Sequence, residues 1–110
     1  KLQAIAAKQY VPDTKTVLKT ATEFQSMDEV PGTAALLKLV QEAAAECNLP
    51  KPTAKAVGGG SDSAYATAAG VPTICALGVQ GARNHTAEEF AVVDTLFSRC
   101  KLFATIMLNI

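Results

Sequence analysis

The chain has 110 residues, ten basic and ten acidic side chains, a pI near 6.8, and is 49% hydrophobic and 18% charged. This is enough apolar material for one small domain with a core of its own, and it excludes a disordered polar segment. Aromatics are 5%, Trp is absent and no basic run occurs, which excludes a nucleic-acid surface; the longest apolar stretch, 90–110, is broken by Asp94, Ser98, Arg99 and Lys101 and excludes a membrane span.

Residues 1–8 (KLQAIAAK) predict a helix with Leu2, Ile5 and Ala6 on one face, stopped by Tyr10-Val11-Pro12-Asp13. Residues 14–26 place Thr16, Val17, Thr20, Thr22 and Phe24 among Lys19 and Glu23, the pattern of a half-exposed strand. A lone strand and a short helix bury no face of their own, so they call for partners from elsewhere. The chain begins at Lys1, not Met, inside a helical pattern, and carries no signal-peptide pattern; a piece of a longer protein is expected. Asp28-Glu29-Val30-Pro31-Gly32 reads as a linker.

Beyond it the pattern becomes α/β. Residues 33–47 form a helix with Leu36, Leu37, Val40, Ala44 and Cys47 as one apolar stripe. Asn48 suits the left-handed position that ends it, and Pro50 follows. Residues 55–57 predict a short strand entering Gly58-Gly59-Gly60-Ser61-Asp62. A short helix follows and ends at Gly70. Residues 73–77 predict a second, wholly apolar strand, which together give a βαβ unit. Asp94 is the expected N-cap of a last helix running to about Leu108, with Leu96, Phe97, Cys100, Phe103, Ala104 and Met107 as its buried stripe. Cys47, Cys75 and Cys100 are odd in number and form no CxxC pair, which predicts buried free thiols in a reducing cytoplasm.

Two features bear chemistry. The glycine turn lets backbone approach a ligand, and the helix start after it favours a carboxylate or phosphate. Neither the phosphate-loop nor the dinucleotide pattern fits, because no Gly-Lys-Ser/Thr follows and Ser63 stands at the third glycine position. A tight strand-to-helix turn capped by Ser61 or Asp62 is the plainer reading. The second feature is His85, the one histidine, in a loop after a strand. Imidazole is a common metal ligand and general base, but one histidine without HxD, HExxH or a Cys pair makes no ligand set. Arg83 beside it suits a substrate carboxylate or is an exposed loop cation. Glu88 and Glu89 read as the approach to the last helix, where charge complementarity accounts for them; a supporting role for Glu89 behind the histidine is the alternative. Cys75, mid-strand in apolar surroundings, reads as inert, and Ser61 and Ser63 lack the G-x-S-x-G elbow of a serine hydrolase. On these residues alone, a small non-catalytic α/β module binding an anion at the glycine turn remains open, as does a dimerisation piece whose N-terminal strand pairs with another sheet.

The combination is more specific than its parts. The run GGGSDSAYATAAGVPTICALGVQGARNHTAEEF resembles the C-terminal end of the zinc-dependent carboxypeptidase/deacylase family, which includes glutamate carboxypeptidase, peptidase T, aminoacylase and the desuccinylases. The linked pieces are the glycine turn at 58–62, the Gly70-Val71-Pro72-Thr73 strand entry, the loop glycines Gly78 and Gly81, the His85-Thr86-Ala87-Glu88-Glu89-Phe90 series and the closing amphipathic helix. The resemblance covers residues 31–110; a weaker likeness relates 1–30 to the last helix and strand of the family's inserted lid.

What the resemblance implies is a fold and a reaction. The fold is an α/β sandwich of hydrolase-like type, of which residues 31–110 are the C-terminal part of the zinc-binding catalytic domain and 1–30 the tail of an α+β lid that mediates homodimers. The reaction is hydrolysis of a peptide or N-acyl amide bond next to a free carboxylate, with two zinc ions, or other divalent metals, activating water. His85 matches a ligand to the second metal, Gly58, Gly59, Gly60 and Ser61 match backbone lining the substrate pocket, and Glu89 matches an acidic position behind the histidine; the substrate contact of Arg83 rests on its own chemistry and not on the resemblance. Arg83 and Asn84 depart from the small residues usual before that histidine. The remaining zinc ligands and the general base lie upstream, so no catalytic residue is expected within these 110 and the chain alone is expected to be inactive.

Overall fold

The computed structural model describes residues 1–20 and 24–110. Among these residues, four helices, α1 (Leu2–Ala6), α2 (Thr33–Glu46), α3 (Ser63–Ala68) and α4 (Asp94–Leu108), are joined by extended segments and one two-stranded antiparallel ladder, β1 (Gly81–Ala82) with β2 (Phe90–Ala91). In register, Gly81 faces Ala91 and Ala82 faces Phe90.

The organising contact is α2 against α4. Val40, Ala43 and Ala44 of α2 meet Leu102 and Ile106 of α4, and Leu39, Leu49, Ile74 and Leu77 close around them. The alanines let the helix axes approach, and the i, i+4 pair Leu102/Ile106 lies along one face of α4. Cys47 Sγ lies 3.3 Å from Thr105 Oγ1, and Asn109 Nδ2 donates to Glu46 Oε1 at 3.2 Å, so the far ends of the two helices are also tied.

Local sequence sets the helix ends. Asn48 at φ 57° lets its N–H reach Ala45 O (3.0 Å) and the Leu49 N–H reach Ala44 O (2.8 Å), which satisfies the last carbonyls of α2. Gly70 at φ 81° repeats the motif after α3: its N–H donates to Thr67 O (2.9 Å) and that of Val71 to Ala66 O (3.0 Å). α1 ends before a turn at Val11–Thr14 in which Asp13 takes φ 60° and Thr14 Oγ1 donates to Val11 O. Gly32 opens α2 at φ +100°; a Cβ there would stand 2.8 Å from Pro72 Cγ, so both conformation and space require glycine.

Several sequence expectations are corrected. Residues 14–20 and 24–26 form no strand, and Thr22 and Glu23 lie outside the described residues. Residues 55–57 and 73–77 form no ladder either, so the βαβ unit is not closed by hydrogen bonds. Strand pairing needs a neighbouring edge, which these segments do not meet among the described residues. Ala76 at φ 63° further interrupts the 73–77 run. Asp94 does not cap α4; it is the first helical residue and Val93 precedes it. The side chain organising that helix start is Thr95, whose Oγ1 donates to Val92 O (2.7 Å) and accepts the Gln80 N–H (2.9 Å). The α4 stripe is also turned. Leu102 and Ile106 are buried, whereas Leu96, Phe97, Cys100, Phe103, Ala104 and Met107 are exposed, Phe97 by 76%. α4 is apolar on two faces, and the small residues of α2 take the narrower one.

The surface agrees with that imbalance. The accessible area is 8876 Å², where a compact monomer of this mass exposes about 5,800 Å². The radius of gyration is 19.9 Å, against about 13 Å for a compact chain near this length. The outward face of α4, with Phe97, Phe103 and Met107, is an uncovered apolar helix face. No described helix is long and apolar enough to cross a membrane.

Candidate functional site

The loop carrying His85 is built by the ladder beneath it. β1 and β2 bring residues 82 and 90 together, and the Val92 N–H donates to Gln80 O at 2.8 Å, extending the clasp by one bond. Between the strands the chain makes two left-handed residues, Arg83 at φ 60° and His85 at φ 65°. Each costs roughly 1–2 kcal/mol in an L-residue, and local hydrogen bonds hold them there. Arg83 O accepts both the Thr86 N–H (3.2 Å) and Thr86 Oγ1 (2.7 Å), Thr86 Oγ1 accepts the Glu88 N–H (3.3 Å), and Thr86 O accepts the Glu89 N–H (3.2 Å). Glu89 Oε2 accepts the His85 backbone N–H at 3.1 Å, a charge-assisted bond.

This places Glu89 differently from the helix-approach reading: β2 separates it from α4, and its carboxylate is spent on the backbone of His85. Thr86 is the organiser that sequence reasoning passed over, although Thr two or three residues from a turn carbonyl is the signal for such a bond. Asn84 is a second residue whose place the sequence does not show. It lines, with Val79, Gly81, Glu89, Phe90 and Ala91, a shallow hollow of about 300 Å³ beside the ladder. The His85 and Arg83 side chains are exposed.

The glycine turn is open. A side chain at Gly58 or Gly59 would meet nothing within 4 Å, while one at Gly60 would lie 3.2 Å from the Phe24 ring. Ser61 acts as the local cap: its Oγ accepts the Ser63 N–H at 3.2 Å, its carbonyl accepts that of Ala64 (2.9 Å), and Asp62 O accepts that of Tyr65 (3.1 Å). The first N–H groups of α3 are therefore already engaged. No hydrogen bond joins this turn to the His85 loop among the described residues.

Cys75 overturns its sequence reading. It is exposed, as is Cys100; only Cys47 is buried, and all three are free. Ser61 Oγ lies 3.1 Å from Cys75 Sγ. That bond first, then the Ser63 hydroxyl, hold the thiol below its usual pKa against the opposing effect of burial, with the Ala76 backbone adding in the same downward direction. A lowered pKa means more thiolate at a given pH. Ser61→Ala removes the larger stabilisation, so the pH profile of Cys75 alkylation by iodoacetamide should move to higher pH, followed by peptide mass mapping with Cys100 as internal reference. An unmoved profile would show that Ser61 does not set the thiolate.

One histidine does not make a metal centre. Among the described residues no group of three or more His, Cys, Asp and Glu side chains converges as a metal site. These residues do not by themselves fit a zinc ion, which takes three or four ligands, and no chemistry is derived through one.

A packed pair of helices of about four turns each, a glycine turn before a short helix, and a histidine on a hairpin loop make up a small mixed helix-and-strand chain. The sequence matches Peptidase family M20/M25/M40 over residues 10–109, and the chain belongs to that family of metallopeptidases, whose members are generally metal-dependent. Comparison with curated proteins and with solved structures gave no match.

Proposed function

We propose that these residues are the C-terminal part of a two-zinc exopeptidase or deacylase that cleaves a peptide or N-acyl amide bond beside a free carboxylate. Residues 31–110 belong to its catalytic α/β domain and 1–30 to the tail of an inserted lid through which the enzyme forms a homodimer in the cytoplasm. His85 gives one metal ligand; Gly58, Gly59, Gly60 and Ser61, with Arg83, line the substrate pocket; and Glu89 holds the histidine loop. The observation that carries this is the family match across 10–109, which spans the linked series from the glycine turn to His85. Two features support the assignment of roles. The His85 loop is braced from within by Thr86 and Glu89, as a ligand-bearing loop must be. The uncovered outer face of α4 is of the kind that the rest of a catalytic domain would bury.

The test is the full-length protein beside its His85→Ala variant. Loss of a metal ligand should lower bound zinc by about one ion in two and amide hydrolysis by at least about a hundredfold. The 110-residue chain alone should hydrolyse nothing. Unchanged zinc content and activity in the variant, or chelator-sensitive hydrolysis by the short chain, would overturn the reading.

A further inference from the structure

The connector 24–32 touches the glycine-turn unit at two places, and both contacts depend on a missing side chain. At one end the Phe24 ring fills the space that a Gly60 side chain would take, with Cδ1 and Cε1 each 3.2 Å from that position. The same ring pairs with Tyr65 of α3, centroids 5.6 Å apart and planes tilted by 57°, a favourable aromatic geometry. At the other end Gly32 presses on Pro72, just past α3. Between them Ser26 Oγ donates to Asp28 Oδ2 (2.9 Å) and the Val30 N–H to Thr33 Oγ1 (3.1 Å), which shape the segment locally.

We propose that this connector is a strap, fastened at Gly32 and closed by Phe24, that covers one side of the glycine turn. A ligand lying against the Gly60 backbone on that side meets the ring, so Phe24 must lift before the Gly60 end of the turn is occupied, whereas Gly58 and Gly59 are open. The contact is poised to open, because Phe24 is 53% exposed and, among the described residues, its ring meets only the Gly60 backbone and one aromatic partner, Tyr65. A site available only in the open state binds more weakly by the open fraction. The strap rests on the reading that the 58–61 backbone receives a substrate carboxylate, and regulates that same site.

The experiment uses the 110-residue chain and Phe24→Ala, followed by amide and ring NMR signals during titration with acetate. In the parent chain, cross-relaxation should link the Phe24 ring to Gly60 and Tyr65. Acetate should move the amides of Gly58, Gly59, Gly60 and Ser61 in both proteins, with roughly two- to tenfold tighter affinity in Phe24→Ala, the range one aromatic contact supplies. Unchanged Leu102 signals establish that the variant keeps the α2–α4 core. Equal affinities, or no cross-relaxation in the parent, overturn the strap alone. No acetate-induced shift in either protein overturns the carboxylate reading of the turn and the strap with it.

Discussion

Leu102→Ala should destabilise the fold by about 3 kcal/mol, within the range for emptying a buried leucine site. Leu102 is fully buried, and with Val40 it is one of the two largest side chains with essentially no exposure. It stands between Val40, Ala43 and Ala44, whose small volumes leave no side chain able to swing into the space. Because α2 and α4 form the main helix–helix contact, the loss is not local: both helices depend on packing for their persistence. Urea melts followed by helical circular dichroism check it, and a midpoint within error of the parent would refute this placement of the core. Phe97→Ala is the control. Phe97 is 76% exposed, so in the 110-residue chain it should change stability by less than about 0.5 kcal/mol. In the full-length protein it should cost about 3 kcal/mol if the proposed domain covers that face.

The contrast between these two residues also marks where sequence stops being informative. α2 was readable because its stripe and its stop are local: Val40, Ala44 and Cys47 repeat at helical spacing, and Asn48 supplies the left-handed residue. Gly70 was readable for the same reason. α4 was found as a helix but its face was not, since Leu102 and Ile106 compete with Phe97, Phe103 and Met107 and periodicity cannot say which face meets α2. Segments 55–57 and 73–77 have strand composition, yet pairing is a property of the neighbour as well as the strand. Cys75 was misjudged in consequence: removed from an assumed sheet interior, it is exposed and bonded to Ser61. His85 was singled out by residue type, whereas its support by Thr86 and Glu89 depends on the ladder that folds 82 back on 90.

That ladder gives the second large effect. Gly81→Ala should open the β1–β2 clasp and release the His85 loop. A Cβ at Gly81 would run into the carbonyl oxygen of Phe90, with the Phe90 carbonyl carbon and Ala91 Cα close behind. These are backbone atoms, so no rotamer change relieves the clash and the strands themselves must separate. Overpacking of this kind costs about 1–3 kcal/mol, and a two-residue ladder has little to set against it. The Val92 N–H should lose its protection by Gln80 O, and the His85 N–H its protection by Glu89, as faster amide hydrogen exchange at both. Exchange within α2 should stay unchanged, because the clash lies outside the α2–α4 core. Gly58→Ala supplies the comparison: its added methyl meets nothing within 4 Å, so the His85 amide should exchange as in the parent. If Gly81→Ala leaves the Val92 and His85 amides protected, the ladder is not what holds the histidine loop. With the clasp open, the same substitution in the full-length protein should weaken zinc binding less than His85→Ala does but in the same direction, since it displaces the proposed ligand without removing it.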